Sequence, residues 1–199
     1  GIPIIEDDPY SLTSYNGEVN PSLKSIDENG NVLYISSLSK IVASGLRIGW
    51  IIGPPQVIQR LADAKQQVDF GHSVFPQWIA NESLKTDDFS SHIDMIRAQL
   101  ELRNYAITSS LKKHIGDEVE FISPVGGIHL WCKIDPSINE FSLLNESMKN
   151  GVAFVPGSIL GSKKGYLRFT FGRGEPSDIQ KGILRFSEAL ERISAGTIT

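Results

Sequence analysis

Apolar positions in the first third of the chain come in short runs that stop abruptly. Ile2 to Ile5 gives way to Glu6-Asp7-Asp8-Pro9-Tyr10, and Val32-Leu33-Tyr34-Ile35 gives way to Ser36-Ser37-Leu38-Ser39-Lys40. Ile48 to Ile52 ends at Gly53-Pro54-Pro55. Runs of this length with β-branched residues predict buried strands. Between the first two lies a polar stretch, Ser11 to Gly30, with Asn16-Gly17 and Asn29-Gly30 as turn signals and Pro21-Ser22-Leu23-Lys24 as a loop or one short turn.

After Pro55 the period changes. Val57, Ile58, Leu61 and Ala64 recur at helical spacing, which predicts a helix to about Gln67 with proline in its first turn. Phe75 to Thr86 predicts a second helix. A third runs from Ser90 or Ser91 to about His114, with Ile93, Ile96, Leu100, Tyr105, Ile107 and Leu111 as its stripe and Gly116 as its stop. About 25 residues at ~1.5 Å each is long for a compact globule, and such a helix bridges two lobes.

Beyond Gly116 the elements shorten again. Strands are predicted at Val119 to Ile122, Gly127 to Ile134, Val152 to Val155 and Tyr166 to Phe171, with helices at Phe141 to Asn150 and Ser177 to Ile193. The last helix buries Ile179, Ile183, Phe186 and Leu190. Together these form an α+β lobe.

Composition narrows the field. The chain has 199 residues, 40% hydrophobic and 21% charged, with a formal net charge of -4. That is ordinary globular composition, and with no basic block these residues make a poor nucleic-acid surface. The single cysteine, Cys132, leaves no internal disulfide and no CxxC motif, which suits a reducing, cytoplasmic setting. Four scattered histidines and one cysteine make a poor zinc set, and no metal is expected. No apolar run approaches the ~18 residues of a membrane span. The chain opens on Gly1 inside an apparent strand, so it reads as a piece of a longer protein.

Chemistry gathers at the strand ends, where ligands bind in open α/β sheets. Ser37, Ser39, Lys40 and Arg47 lie within eleven residues. Arginine grips phosphate bidentately while hydroxyls donate to its other oxygens. A lysine near other cations becomes a nucleophile toward carbonyls. The set therefore suggests a carbonyl cofactor that carries a phosphate. Ser37-x-x-Lys40 also matches serine β-lactamases, but the only Ser-x-Asn candidate, Ser14-Tyr15-Asn16, precedes it and Lys-Thr-Gly is missing. No GxGxxG follows a strand, so a dinucleotide fold is unsupported.

Five motifs in order carry a resemblance. They are Asp7-x-x-Tyr10; Ser37-x-Ser39-Lys40 with Arg47 seven later; Pro124-x-Gly126-Gly127-x-x-x-Trp131; Gly151-Val152 to Val155-Pro156-Gly157; and Tyr166-Leu167-Arg168-Phe169. The chain resembles the C-terminal half of fold-type I pyridoxal-phosphate enzymes, the aspartate aminotransferase superfamily. The resemblance implies an α/β fold: the end of a large, mostly parallel cofactor domain over residues 1–90, an interdomain helix over 91–116 and a small α+β domain over 117–199.

It also implies roles. Lys40 is the catalytic lysine that forms the internal Schiff base with pyridoxal 5'-phosphate and then moves the substrate α-proton. Asp7 holds the pyridine nitrogen protonated, and Tyr10 donates to the phenolic oxygen. Ser37, Ser39 and Arg47 hold the phosphate, and Arg168 binds the substrate α-carboxylate. Without the resemblance, Arg168 reads equally as an edge-strand arginine facing solvent. The family often has Pro-Gly before the phosphate arginine, and this chain has Ser44-Gly45.

Lys65-Gln66-Gln67-x-Asp69-x-Gly71-x-Ser73-x-x-x-Gln77 and the Glu6-Asp7-Asp8 opening are similar to the aminotransferase-like domain of GntR/MocR-type transcription regulators, and also to 2-aminoadipate and kynurenine aminotransferases. The first likeness implies a sensor of pyridoxal phosphate or an amino compound, dimeric, touching DNA only through a preceding winged-helix domain. The second implies a working transaminase. In either case the remainder of the cofactor shell is expected upstream of Gly1, so the piece alone is expected to bind cofactor poorly and to lack activity.

Overall fold

A computed structural model describes residues 2–196. The chain divides into two compact units, one running to Arg97 and the other beginning at Ala98.

The first unit holds a three-stranded sheet. β1 (Ile4–Asp7) pairs in parallel with β2 (Val32–Ser37), from Ile4 opposite Val32 to Asp7 opposite Ile35. β3 (Gly49–Ile52) is antiparallel to β2, with Ser37 opposite Gly49. The sheet expected to be mostly parallel thus shows one pairing of each kind here. The connection from Leu38 to Ile48 contains only short 3-10 turns, too little for the crossover of a dozen or more residues that a parallel return needs. β1 starts later than its apolar run and extends into the acidic cluster, because Asp7 still pairs with β2.

The turn into β2 is held by Asp27, which accepts from the Asn31 and Val32 N–H groups and from Lys24 Nζ. The lysine first, then the two amides, hold its carboxyl well below the usual range. Gly30 supplies the positive φ this turn requires.

α1 (Pro55–Val68) and α2 (Val74–Lys85) follow, then α3 (Phe89–His114). The stripe of α1 is not buried within this unit, and Val57 and Leu61 are exposed. The core lies instead under the lysine loop, where Leu38, Ile41, Ala80 and Ile93 are buried together.

The second unit contains the rest of α3 and a four-stranded antiparallel sheet. β4 (Glu120–Phe121), β5 (His129–Lys133), β6 (Val155–Pro156) and β7 (Tyr166–Thr170) are arranged in the order β4-β5-β7-β6. α4 (Glu140–Lys149) and α5 (Pro176–Ser194) complete it. Leu130, Cys132, Leu167 and Phe169 are buried, and Phe186 of α5 meets Phe169 and Phe154 edge-on at 5.0 and 5.7 Å.

The strand predicted over Val152 to Val155 shrinks to Val155–Pro156. The Val152 N–H closes back on the Ser147 carbonyl and Gly151, at φ 78°, bonds Met148, so these residues finish α4 as a Schellman turn and are lost to the ladder. Burial pushes the Cys132 thiol up to about 12, which makes it an inert core residue.

Candidate functional site

Alternation along β1 sorts the three adjacent carboxylates. Glu6 accepts from the Leu23 and Lys24 N–H groups at 2.8 and 2.9 Å and so caps the 3-10 turn Leu23–Ile26. Asp8 accepts from the Ser11 N–H at 2.9 Å and from the Tyr34 hydroxyl at 3.0 Å, and its carbonyl accepts from Ser36 Oγ. Burial, then the Asp8 carboxylate, raises the Tyr34 phenol above its ordinary value despite opposing hydroxyl contacts. The Asp7 carboxylate has no hydrogen-bond or ion-pair partner among the described residues. The period of two turns it to the opposite sheet face, which it shares with Ile35 and Ser37.

A cleft of about 510 Å³ lies on the Asp8 side, walled by Asp8, Tyr34, Ser36 and Trp50 among others. Ser37 also reaches its wall, while Asp7, Lys40 and Arg47 do not line it.

β2 delivers the second group. Ser37 ends the strand, and its Oγ accepts from the Ser39 N–H at 3.4 Å, capping a 3-10 turn over Leu38–Lys40. Lys40 closes that turn. It is exposed and forms no ion pair among the described residues, and its Nζ lies 5.9 Å from the centre of the Tyr10 ring, within cation–π range.

The next turn, Ser44–Leu46, ends on Arg47 at φ 54°, ψ 37°. Among the described residues Arg47 alone adopts positive φ without being glycine. That conformation costs about 1–2 kcal/mol, and such strain collects at functional sites. Its guanidinium is exposed and, among the described residues, donates only to the Ser44 carbonyl at 3.2 Å. Gly49, opposite Ser37, keeps this corner clear, since a Cβ there would sit 3.0 Å from the Ser36 carbonyl oxygen.

The structure therefore collects Asp7, Tyr10, Ser37, Ser39, Lys40 and Arg47 at the carboxyl ends of β1 and β2 in the first unit. Arg168 belongs to the second unit. It sits on β7 between β5 and β6, opposite Trp131 on one side and Val155 on the other, so the edge-strand reading is wrong. Its Nε is buried without a partner among the described residues. Trp131 stacks on Tyr166 at 5.6 Å on the same sheet face.

Residues 1–186 match the family described as aminotransferase class I and II. The chain belongs to that family. Among relatives of this aminotransferase-family chain, an uncharacterized HTH-type transcriptional regulator, YdfD of Bacillus subtilis, is 38% identical over 98% of the chain and 40% of its own length. Aromatic-amino-acid aminotransferase 1 of Thermococcus litoralis is 34% identical over 94% of the chain and 46% of its own length. A solved structure of LysN, the α-aminoadipate aminotransferase of Thermus thermophilus complexed with N-(5'-phosphopyridoxyl)-L-leucine, superposes with a TM-score of 0.91 at 27% identity. That match covers 97% of this chain and 51% of LysN. The chain thus spans about half the length of the relatives it matches.

Two groups in the first unit escape the sequence reading. His92 Nε2 meets the Ile41 carbonyl at 2.8 Å, and Arg97 Nε donates to the Leu12 carbonyl at 3.0 Å. Their places flanking the Ile93 and Ile96 stripe were visible, but the carbonyls they meet are far away in sequence. Among the described residues no helix is long and apolar enough to cross a membrane, and no cluster could hold a metal ion.

Proposed function

We propose that this chain is part of a pyridoxal-phosphate-binding, aminotransferase-like effector domain of a GntR/MocR-type transcription regulator, with Lys40 as the amine that captures the cofactor. One observation carries the reading. Of the carboxylates and cations near the ends of β1 and β2, Glu6 and Asp8 are engaged in holding the fold, while Asp7 and Lys40 are left without ionic partners among the described residues. A free carboxylate, a free amine and a strained arginine at neighbouring strand ends fit a small molecule with a cationic ring, a carbonyl and a phosphate.

When bound, pyridoxal phosphate supplies an aldehyde that condenses with an amine with loss of water, and a pyridine ring that accepts the electron pair released at the substrate α-carbon. Asp7 favours a protonated nitrogen, because an adjacent opposite charge stabilises the charged form. Tyr10, whose ring lies 5.9 Å from the Lys40 amine, is assigned the cofactor's phenolic oxygen. Ser37, Ser39 and Arg47 would hold the phosphate, the hydroxyls and the guanidinium supplying its donors. Arg168 is assigned the carboxylate of an amino compound, in keeping with its unpartnered buried Nε. Residues 1–90, 91–116 and 117–199 are taken as the end of the cofactor domain, a connecting helix and the small domain. DNA contact is assigned to a preceding domain, in line with the HTH-type name of YdfD.

A second reading, an active amino-acid transaminase, is supported by the likeness to the T. litoralis enzyme and to LysN.

The test is a spectrum of the full-length protein with pyridoxal phosphate, followed by borohydride and peptide mapping. The expected result is a cofactor band whose reduction leaves the label on Lys40, and which is lost in Lys40→Ala. Label elsewhere, or an unchanged Lys40→Ala spectrum, overturns the assignment. Fast turnover of an amino acid with 2-oxoglutarate selects the transaminase reading.

A further inference from the structure

We infer that His92 and Arg97 are positioning residues that pin the Lys40 and Tyr10 loops to one face of α3 and so fix the Lys40 amine against Tyr10. The inference rests on the Lys40 assignment above for its function, and on α3 contacts for its geometry.

Lys40 closes a 3-10 turn, and the end of such a turn leaves carbonyls without main-chain donors. The Ile41 and Val42 N–H groups both turn back to the Leu38 carbonyl. The Ile41 carbonyl, one residue past the lysine, has His92 Nε2 at 2.8 Å instead. A carbonyl oxygen only accepts, so Nε2 carries the hydrogen and the ring is held in that tautomer or as the imidazolium.

Tyr10 is fixed in a parallel way. Its carbonyl accepts from both the N–H and the hydroxyl of Thr13, at 2.8 and 2.6 Å, which closes the turn Ser11–Thr13. Arg97 Nε reaches the Leu12 carbonyl in the middle of that turn at 3.0 Å. The Arg97 side chain is only 16% exposed and is oriented further by Asp94 at 3.1 Å.

His92 and Arg97 flank Ile93 and Ile96, and the spacing places all four toward one side of the helix. Ile93 is buried with Leu38 and Ile41, so this side of α3 is seated on the lysine loop by packing as well as by the two bonds. Lys40 is exposed, with its Nζ 5.9 Å from the centre of the Tyr10 ring, and the two loops are already tied at their bases by the bond from Ser36 Oγ to the Asp8 carbonyl. The two carbonyl anchors on one helix add a second tie further along both loops. Neither residue is among those assigned to the cofactor, and both act through backbone carbonyls.

The test uses the full-length protein and three variants. His92→Leu and His92→Ala remove the donor, while His92→Gln returns an N–H at the ε position. In cofactor-free protein, hydrogen exchange at the Ile41 and Val42 amides is expected to accelerate about fivefold in the Leu and Ala variants, the factor for one net hydrogen bond, and to stay near the parent rate in Gln. With pyridoxal phosphate and borohydride, labelling of Lys40 is expected to slow by a similar factor in Leu and Ala and to recover in Gln. Unchanged exchange in both Leu and Ala, or a Gln variant as impaired as Leu, overturns the inference. Exchange that responds as expected while the parent protein takes no label on Lys40 upholds the positioning and discards the Lys40 assignment instead.

Discussion

Glu140 offers the sharpest perturbation of the fold. It opens α4, is 4% exposed, and forms no ion pair among the described residues. Its Oε1 accepts from the Gly165 N–H at 2.6 Å, and its Oε2 accepts from Ser158 Oγ at 2.8 Å and weakly from the Ser158 N–H at 3.4 Å. One carboxylate therefore ties the start of α4 to the turn after β6 and to the residue just before β7. The helix does not depend on it for capping, because Asn139 Oδ1 already accepts from the Phe141 and Ser142 N–H groups at 3.0 Å.

Glu140→Ala strands a buried Gly165 N–H and forfeits two short charge-assisted bonds. Bonds to charged groups are worth about 1.5–3 kcal/mol each, and an unpaired buried donor costs about 1–3 kcal/mol. Relief from burying a charge offsets part of this. The expected net loss is about 3 kcal/mol, or roughly 6–12 °C of melting temperature for a chain of this size. Glu140→Gln keeps the shape but turns an amide N–H₂ toward one of the donors, so it should lose about half as much.

The assay is urea unfolding in a background where Trp50 and Trp78 are phenylalanine. Trp131, stacked on Tyr166 beside Gly165, then reports on the second unit alone. A loss below about 1 kcal/mol in the Ala variant, or a Gln variant as damaged as Ala, would show that the carboxylate is incidental to this corner.

Three further outcomes follow, two from the same unit and one from the first. The Glu146 carboxyl is held below its ordinary 4.5 by Lys149 first and Arg192 second, at 2.9 and 3.0 Å. The folded form then binds fewer protons than the unfolded one, so this stabilisation is fully present above about pH 4.5 and drains away as the pH falls through the lower folded value. Urea midpoints from pH 6 down to pH 3 should fall less steeply in Glu146→Gln than in the parent, and equal slopes would deny the linkage. At Gly157 an added Cβ would lie 2.6 Å from Tyr166 Cβ and 2.7 Å from its carbonyl oxygen, against backbone that cannot swing away. Gly157→Ala should cost about 1–3 kcal/mol in a thermal melt. Gly45→Ala, with nothing within 4 Å of the new carbon, should stay within about 0.5 kcal/mol of the parent.

Periodicity located most elements to within a residue or two, because α3, α5 and β5 carry long or cleanly alternating patterns. It failed where a neighbour, and not the segment itself, decides. Val152 looks like strand by composition, yet it is recruited to end α4. The stripe of α1 is a true helical stripe, yet Val57 and Leu61 stay exposed, because the period of a helix does not say what packs against it. The hydrogen bonds of His92 and Arg97 cross 51 and 85 positions and leave no local trace.

The acidic cluster marks the boundary between what a pattern can and cannot carry. Three consecutive carboxylates look interchangeable on paper. The strand's period of two separates them, because Glu6 and Asp8 fall on the face of Tyr34 and Ser36 while Asp7 falls on the face of Ser37. Which face matters is decided only by register with β2: a slip of one residue would send Asp7 to the Tyr34 side and bring Glu6 and Asp8 to the Ser37 side. The bonds from Glu6 to the turn at Leu23 and from Asp8 to Tyr34 resist that slip. The two carboxylates that serve the fold thus determine that the third stays without a partner among the described residues.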